Sequence, residues 1–135
     1  MKIKKIFLNE NHLTDVAAEC IADVIQEGNT RIREIGLKGN QITAKGGNKF
    51  ASALVINRDL KVLDLSWNKI GVKPFDVPDR RDPARKFKSL MQEGDIGKAW
   101  GSAVRENKTL IHLDLSFNRI GLEDTDLIQS ALREN

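Results

Sequence analysis

The side chains best suited to chemistry in this 135-residue chain come in pairs at equal spacing: Asp64 with Asp114, and Trp67 with Phe117. Two carboxylates brought together would welcome a cation, such as an arginine or lysine from a partner, because charge-assisted N–H to carboxylate bonds are strong. Aromatic residues of this kind anchor protein interfaces. Each pair also has a plainer reading. The acids can be two solvated charges, which cost little on a surface, and each ring can pack beneath the loop of the next segment as part of the fold.

Other reactive residue types are scattered. His12 and His112 have no cysteine or carboxylate cluster at ligand spacing, so no metal is expected. Cys20 is the single cysteine, which excludes an intrachain disulfide and points to a reducing, cytoplasmic setting. It is expected to pack beside the core face of a helix. Gly46-Gly47 lacks the lysine and hydroxyl residue of a phosphate loop. Tyrosine is absent, and no serine stands in a nucleophile-elbow context. No catalytic residue and no cofactor is assigned, and the chain is expected not to be an enzyme.

The totals narrow the class. Apolar residues make up 40% and charged residues 30%, which suits one globular domain rather than a disordered chain. A net charge of +3 falls short of the basic face of a nucleic-acid binder. Met1 to Leu8 begins like a signal segment, but Asn9-Glu10-Asn11 ends the apolar stretch too soon. No run is long enough to span a bilayer, so neither nucleic acid nor membrane is expected as a partner. Asn107-Lys108-Thr109 matches the glycosylation acceptor pattern, but nothing else points to secretion.

The elements that must position the paired residues are visible as repeats. Segments beginning at Ile3, Ile32, Leu60 and Leu110 each read apolar-x-x-apolar-x-apolar-x-x-Asn-x-apolar, with the asparagine at Asn11, Asn40, Asn68 and Asn118. The intervals are 29, 28 and 50 residues, so the third unit carries an insertion. A second column, Asn29, Asn57, Asn107 and Asn135, closes each unit. In each first half, apolar residues alternate with exposed ones, as a half-buried strand requires. A helix with apolar residues three and four apart follows, as at Ile21, Val24 and Ile25. Small residues at Ala51, Ala53 and Ala103 let the helix approach the strands. A strand and helix alone cannot bury their apolar faces, so the units must stack on a shared core. Asparagine of the first column can donate and accept within the turns. The second column sits at helix ends, where asparagine tolerates a left-handed backbone.

This pattern resembles leucine-rich repeats of the ribonuclease-inhibitor type, whose units run to about 28 residues with a full helix. The resemblance covers nearly the whole chain outside the insertion. It implies an α/β fold, a right-handed horseshoe solenoid with a short parallel sheet on the concave face and helices on the convex face. The repeats are expected at 3–31, 32–59, 60–109 and 110–135, with the insertion at about 72–95 in the third. That insertion holds all three prolines, Pro74, Pro78 and Pro83. It reads as a polar loop followed by a short helix containing Phe87, Leu90 and Met91. Pro83 suits a first helical position.

Stacked repeats turn strand positions into columns about one strand spacing apart. Lys5, Glu34, Val62 and His112 form one column. Phe7, Gly36, Asp64 and Asp114 form the next, and Glu10, Gly39, Trp67 and Phe117 the third. The candidate partner-binding residues are Trp67, Phe117, Asp64, Asp114, His112, Phe7, Val62, Glu34 and Lys38. They offer a mixed surface suited to a protein or peptide. By resemblance, such repeats bind proteins in inhibitors and in the sensing ends of NOD-like receptors. Ran GTPase-activating protein is similar in repeat type and presents an arginine on the rim. Arg80 or Arg81 would be its counterpart, although neither matches that family's motif residue by residue. A third reading is a structural, self-assembling segment. The chain opens and closes at strand boundaries, which suggests a piece of a longer array or association through uncapped ends.

Overall fold

A computed structural model describes residues 2–28, 31–71 and 95–135. Strand and helix alternate four times among them: β1 (Lys5–Phe7), α1 (Asp15–Gln26), β2 (Glu34–Gly36), α2 (Ala44–Ile56), β3 (Val62–Asp64), α3 (Asp95–Glu106), β4 (His112–Asp114) and α4 (Leu122–Glu134). The four strands form one sheet in the order β1-β2-β3-β4. Every pair is parallel, and Lys5, Glu34, Val62 and His112 lie in register. Parallel neighbours need a crossover, which the helices supply. Each helix packs on the next, α1 on α2, α2 on α3 and α3 on α4.

The shared core lies between the two layers. Ile35, Leu37, Leu63 and Leu65 enter it from the sheet, Ile42 and Ile70 from the turns, and Ala18, Ala22, Ile25, Phe50, Leu54 and Trp100 from the helices. Alanines at Ala51, Ala53 and Ala103 are buried where helix and sheet meet. α1 turns differently from the sequence expectation. Its buried face is Ala18, Ala22 and Ile25, while Val24 is exposed and Ile21 is only partly buried. Cys20 is exposed as well, not packed beside the core. Both differences have one physical cause. As the first helix, α1 has a neighbouring helix on one side only among the described residues.

The first asparagine column forms a directional ladder. Asn40 Oδ1 accepts from the N–H groups of Asn11 and Leu13 (3.0 and 2.9 Å), while Nδ2 donates to the carbonyls of Leu8 and Leu37 (3.0 and 2.8 Å). Asn68 repeats this with Ile42 N–H and the Leu37 and Leu65 carbonyls. Asn118 does so with Ile70 N–H and the Leu65 and Leu115 carbonyls. Each amide therefore serves its own turn and the one before it, satisfying backbone groups that burial would leave unpaired.

The second column works by side chain rather than by backbone conformation. Asn57 has φ −62° and ψ 136°, extended and not left-handed. Its Oδ1 accepts from Asp59 and Leu60 N–H, and its Nδ2 donates to the Ile25 carbonyl of the preceding helix. Asn107 does the same work with the Leu54 and Asn57 carbonyls and with Thr109 and Leu110 N–H. Asn107 is only 6% exposed and its amide nitrogen is engaged, so glycosylation there would break the stack. Asn29 lies outside the described residues.

Acidic side chains tie neighbouring helix starts together. Asp15 in the first turn of α1 accepts from the N–H groups of Thr43 and Gly46 and from the Thr43 hydroxyl, at the start of α2. Asp124 in α4 accepts from Gly97 N–H in the first turn of α3 at 2.7 Å. A carboxylate at a helix N-terminus meets unpaired N–H groups and the positive end of the dipole. Gly97 is needed because a Cβ there would fall 2.7 Å from Asp124 Cα.

Candidate functional site

The turn that follows each strand takes an unusual backbone conformation at one column. Glu10, Gly39, Trp67 and Phe117 have φ of 57°, 69°, 56° and 55°. This left-handed region disfavours any side chain with a Cβ. The sheet ladder and the asparagines impose it. Trp67 N–H donates to the Ser116 carbonyl at 3.0 Å, and Asn68 bonds back to the Leu65 and Ser66 carbonyls. Gly39 in the same column is the one sequence signal that could have revealed the strain.

The strained backbone aims Trp67 and Phe117 to the same side. Their rings stack with centroids 4.1 Å apart and planes 14° from parallel. Both remain open to solvent, Trp67 at 54% and Phe117 at 65%. The sequence expectation that they are neighbours is met. They are not tucked away beneath a turn as the plainer reading required.

Asp64 and Asp114 are register partners on β3 and β4. Each carboxylate is held by the serine two residues on. Asp64 Oδ1 accepts from the N–H and hydroxyl of Ser66 at 2.9 and 2.6 Å, and Asp114 Oδ1 accepts from Ser116 at the same distances. The Ser116 hydroxyl, then its N–H, holds the Asp114 carboxyl below the usual carboxylate range. His112 and Lys38 help by their charge, and partial burial opposes the shift. Sequence reasoning paired the acids but overlooked the serines. The Asp-Leu-Ser spacing, suited to local side-chain to backbone bonding, was the available signal.

The remaining candidates spread along the same face. Phe7 is exposed and lies against Gly36, where an added Cβ would meet its Cδ1 at 2.7 Å. Glu34 is half-buried and paired with Lys5 at 2.8 Å. Val62 is half-buried, while Lys38 and His112 are exposed. The structure therefore gathers Asp64, Asp114, Trp67 and Phe117 at the third and fourth strands. Phe7 stands apart at the first. Arg80, Arg81 and the proline-rich insertion lie outside the described residues.

No described helix is long and apolar enough to cross a membrane. The cluster instead offers an aromatic platform beside two oriented carboxylates. That arrangement can hold a partner by apolar contact and charge-assisted hydrogen bonds.

Comparison with known proteins agrees with this architecture. A family model described as Leucine Rich repeat matches residues 57–73 and 106–124, the segments around β3 and β4. The chain is similar to NLR family CARD domain-containing protein 3 of Homo sapiens, 37% identical over 62 residues, which are 46% of this chain and 6% of that protein. It is also similar to Protein NLRC3 of Mus musculus, 40% identical over 58 residues, 43% of this chain and 6% of that protein. The matched part thus spans a small fraction of these relatives. Among solved structures, the tropomodulin C-terminal domain of Caenorhabditis elegans superposes with a TM-score of 0.61 at 16% identity, covering 98% of this chain and 66% of that one. The structure titled Leiomodin-1 Actin-Binding Site 2 superposes with a TM-score of 0.61 at 19% identity, covering 98% and 63%. At such identities these two speak for the fold alone.

Proposed function

We propose that this leucine-rich-repeat chain is a protein-interaction module that holds its partner on the exposed face of the sheet, centred on Trp67, Phe117, Asp64 and Asp114. The single observation that carries this reading is the solvent-open stack of Trp67 on Phe117, built on two left-handed backbone positions. A solenoid does not need large rings there, because Gly39 fills the same position one repeat earlier. The fold imposes the left-handed backbone in every unit but not a large ring on it, and exposed rings kept at a position that suits glycine support use by a partner. The flanking residues Phe7, Val62, Glu34, Lys38 and His112 supply the mixed rim that protein interfaces show.

The test is capture of partner proteins by the whole chain, compared with Trp67→Ala/Asp114→Ala. Ser52→Glu on the exposed side of α2 serves as the control, and a chain lacking residues 73–94 isolates that segment's contribution. Loss with the first variant and retention with the control support the reading. Identical recovery by wild type and the first variant overturns it.

A second reading has its own observation. Ile111, Leu122 and Leu132 on the fourth strand–helix unit are all largely exposed. They suit stacking against another leucine-rich unit, whether of a second copy or of a longer array. Sedimentation of wild type against Ile111→Lys/Leu132→Glu tests it. A concentration-dependent larger species that the variant lacks would support it, and a monomer in both would reject it for free copies.

A further inference from the structure

We propose that the open edge of β4 is a docking site for a single extended segment of a partner protein, which adds as a parallel fifth strand and brings no helix with it. This rests on the second reading above, that the exposed face of the fourth unit meets another polypeptide. It narrows the occupant from a whole unit to one strand of the pattern apolar-x-x-apolar-x-apolar.

Within the sheet, each unit offers the same backbone groups to its follower. The Lys61 carbonyl accepts from Ile111 and His112 N–H at 2.8 and 3.0 Å, while Leu65 and Trp67 N–H donate to the Asp114 and Ser116 carbonyls at 2.9 and 3.0 Å. The Arg33 carbonyl and the N–H groups of Leu37 and Gly39 do the same between the second and third units. β4 ends the sheet. Its equivalent groups, the Ile111 carbonyl and the N–H groups of Leu115 and Phe117, have no partner among the described residues. Unpaired groups in such a row are a template for another strand.

The edge also has room for a side chain. A pocket of about 330 Å³ opens beside the start of β4, lined chiefly by Leu54, Ala103, Val104, Leu110, Leu113 and Leu132. Leu60 at the start of the third unit is fully buried, whereas Leu110, its counterpart at the edge, is only partly so. The first apolar residue of an added strand would stand beside Leu110 and close the pocket, removing apolar surface from water.

The helix layer does not allow the same step. α3 meets α4 through glycines. A Cβ at Gly97 would stand 2.7 Å from Asp124 Cα, and one at Gly101 would stand 3.5 Å from Ala131 Cβ. The equivalent residues of α4, 28 positions on, are Thr125 and Gln129. Another helix set against α4 as α4 is set against α3 would drive its backbone into these two side chains. An extended segment has no helix to place, so it can take the strand edge without disturbing them.

The experiment titrates the whole chain with a blocked peptide, Thr-Leu-Lys-Thr-Leu-Thr-Leu-Ser, and follows amide NMR shifts and hydrogen exchange. One counterpart peptide is N-methylated at its lysine and at the threonine after it, whose N–H groups would meet the Ile111 carbonyl. Another holds the same residues in the order Leu-Leu-Thr-Lys-Leu-Thr-Thr-Ser. Saturable shifts and slowed exchange are expected at Leu115 and Phe117 N–H. The N-methylated and reordered peptides should bind on the order of tenfold more weakly or not at all. Leu132→Glu, on the exposed wall of the pocket, should weaken binding of the first peptide several-fold. If that variant does not fold, the three peptides on wild type decide alone. Equal binding of the N-methylated or reordered peptide, an unaffected folded variant, no saturable shift, or protection mapping elsewhere would overturn the proposal. Self-association of wild type that Ile111→Lys/Leu132→Glu removes, with no peptide protection of Leu115 and Phe117, would keep the stacking of whole units and reject the single strand. Peptide protection in a wild type that stays monomeric would do the reverse.

Discussion

Asp114 keeps its charge because one residue, Ser116, offers it both a hydroxyl and an N–H. Folding lowers its pKa, so its contribution to stability is complete above the carboxyl's unfolded value. That contribution is lost as pH falls through the folded value. Replacing Ser116 with alanine should raise the Asp114 titration midpoint toward the ordinary range, read by carboxyl NMR. An unchanged midpoint would assign the shift to the Ser116 N–H, which alanine keeps, and to His112 and Lys38 instead. Trp67 makes a sharper case. Glycine there would relieve a left-handed strain of about 1–2 kcal/mol and forfeit a ring stack of about 0.5–1.5 kcal/mol. Trp67→Gly should therefore change urea-unfolding stability by no more than about 1.5 kcal/mol while abolishing partner binding. A large loss of stability would make the stack a structural device. The two pairs were legible in the sequence because equal spacing within repeats forces them side by side. The strain and the serine clamps were not, because both arise from backbone geometry that residue types alone do not display.

The elements differ in what holds them. The turn of each unit is secured by the asparagine of the next. Asn68→Ala would leave Ile42 N–H without its partner and take one of two donors from each of the Leu37 and Leu65 carbonyls, which keep Asn40 and Asn118. The orphaned N–H costs about 1–3 kcal/mol, so chemical denaturation should show a loss of that order. Asn11→Ala should cost far less, since the side chain of Asn11 is exposed and, among the described residues, bonds only to the Asn9 carbonyl. Equal costs would mean that the ladder is not directional. Between helices, Gly97→Ala would drive a methyl group into the Asp124 backbone. It should destabilise the α3–α4 contact by about 1–3 kcal/mol, as overpacking does. The alternation of strand and helix was readable from apolar spacing. The outward turn of Val24 and Cys20 was not, because a periodic stripe marks a face without saying whether a neighbour covers it. The extended backbone at Asn57 differs from expectation because its side chain, not its φ, satisfies the helix end.

At the scale of the molecule, the four units share one core, and that continuity places Asp64 beside Asp114 and Trp67 on Phe117 across a separation of 50 residues. The fold class followed from a repeat pattern, since units too small to fold alone must stack. The surface proposed to bind followed only in part. A sequence column gives adjacency but not exposure, and only the structure shows the two rings open rather than packed. The most direct measurement is photo-crosslinking from a photoreactive amino acid placed at Phe117, compared with one at Ser52 on the helix side, with the chain exposed to its captured partners. Adducts from position 117, reduced by Trp67→Ala, and none from position 52 are the predicted result. Adducts from position 52 alone, or from both positions without dependence on Trp67, would contradict the assignment of the sheet face.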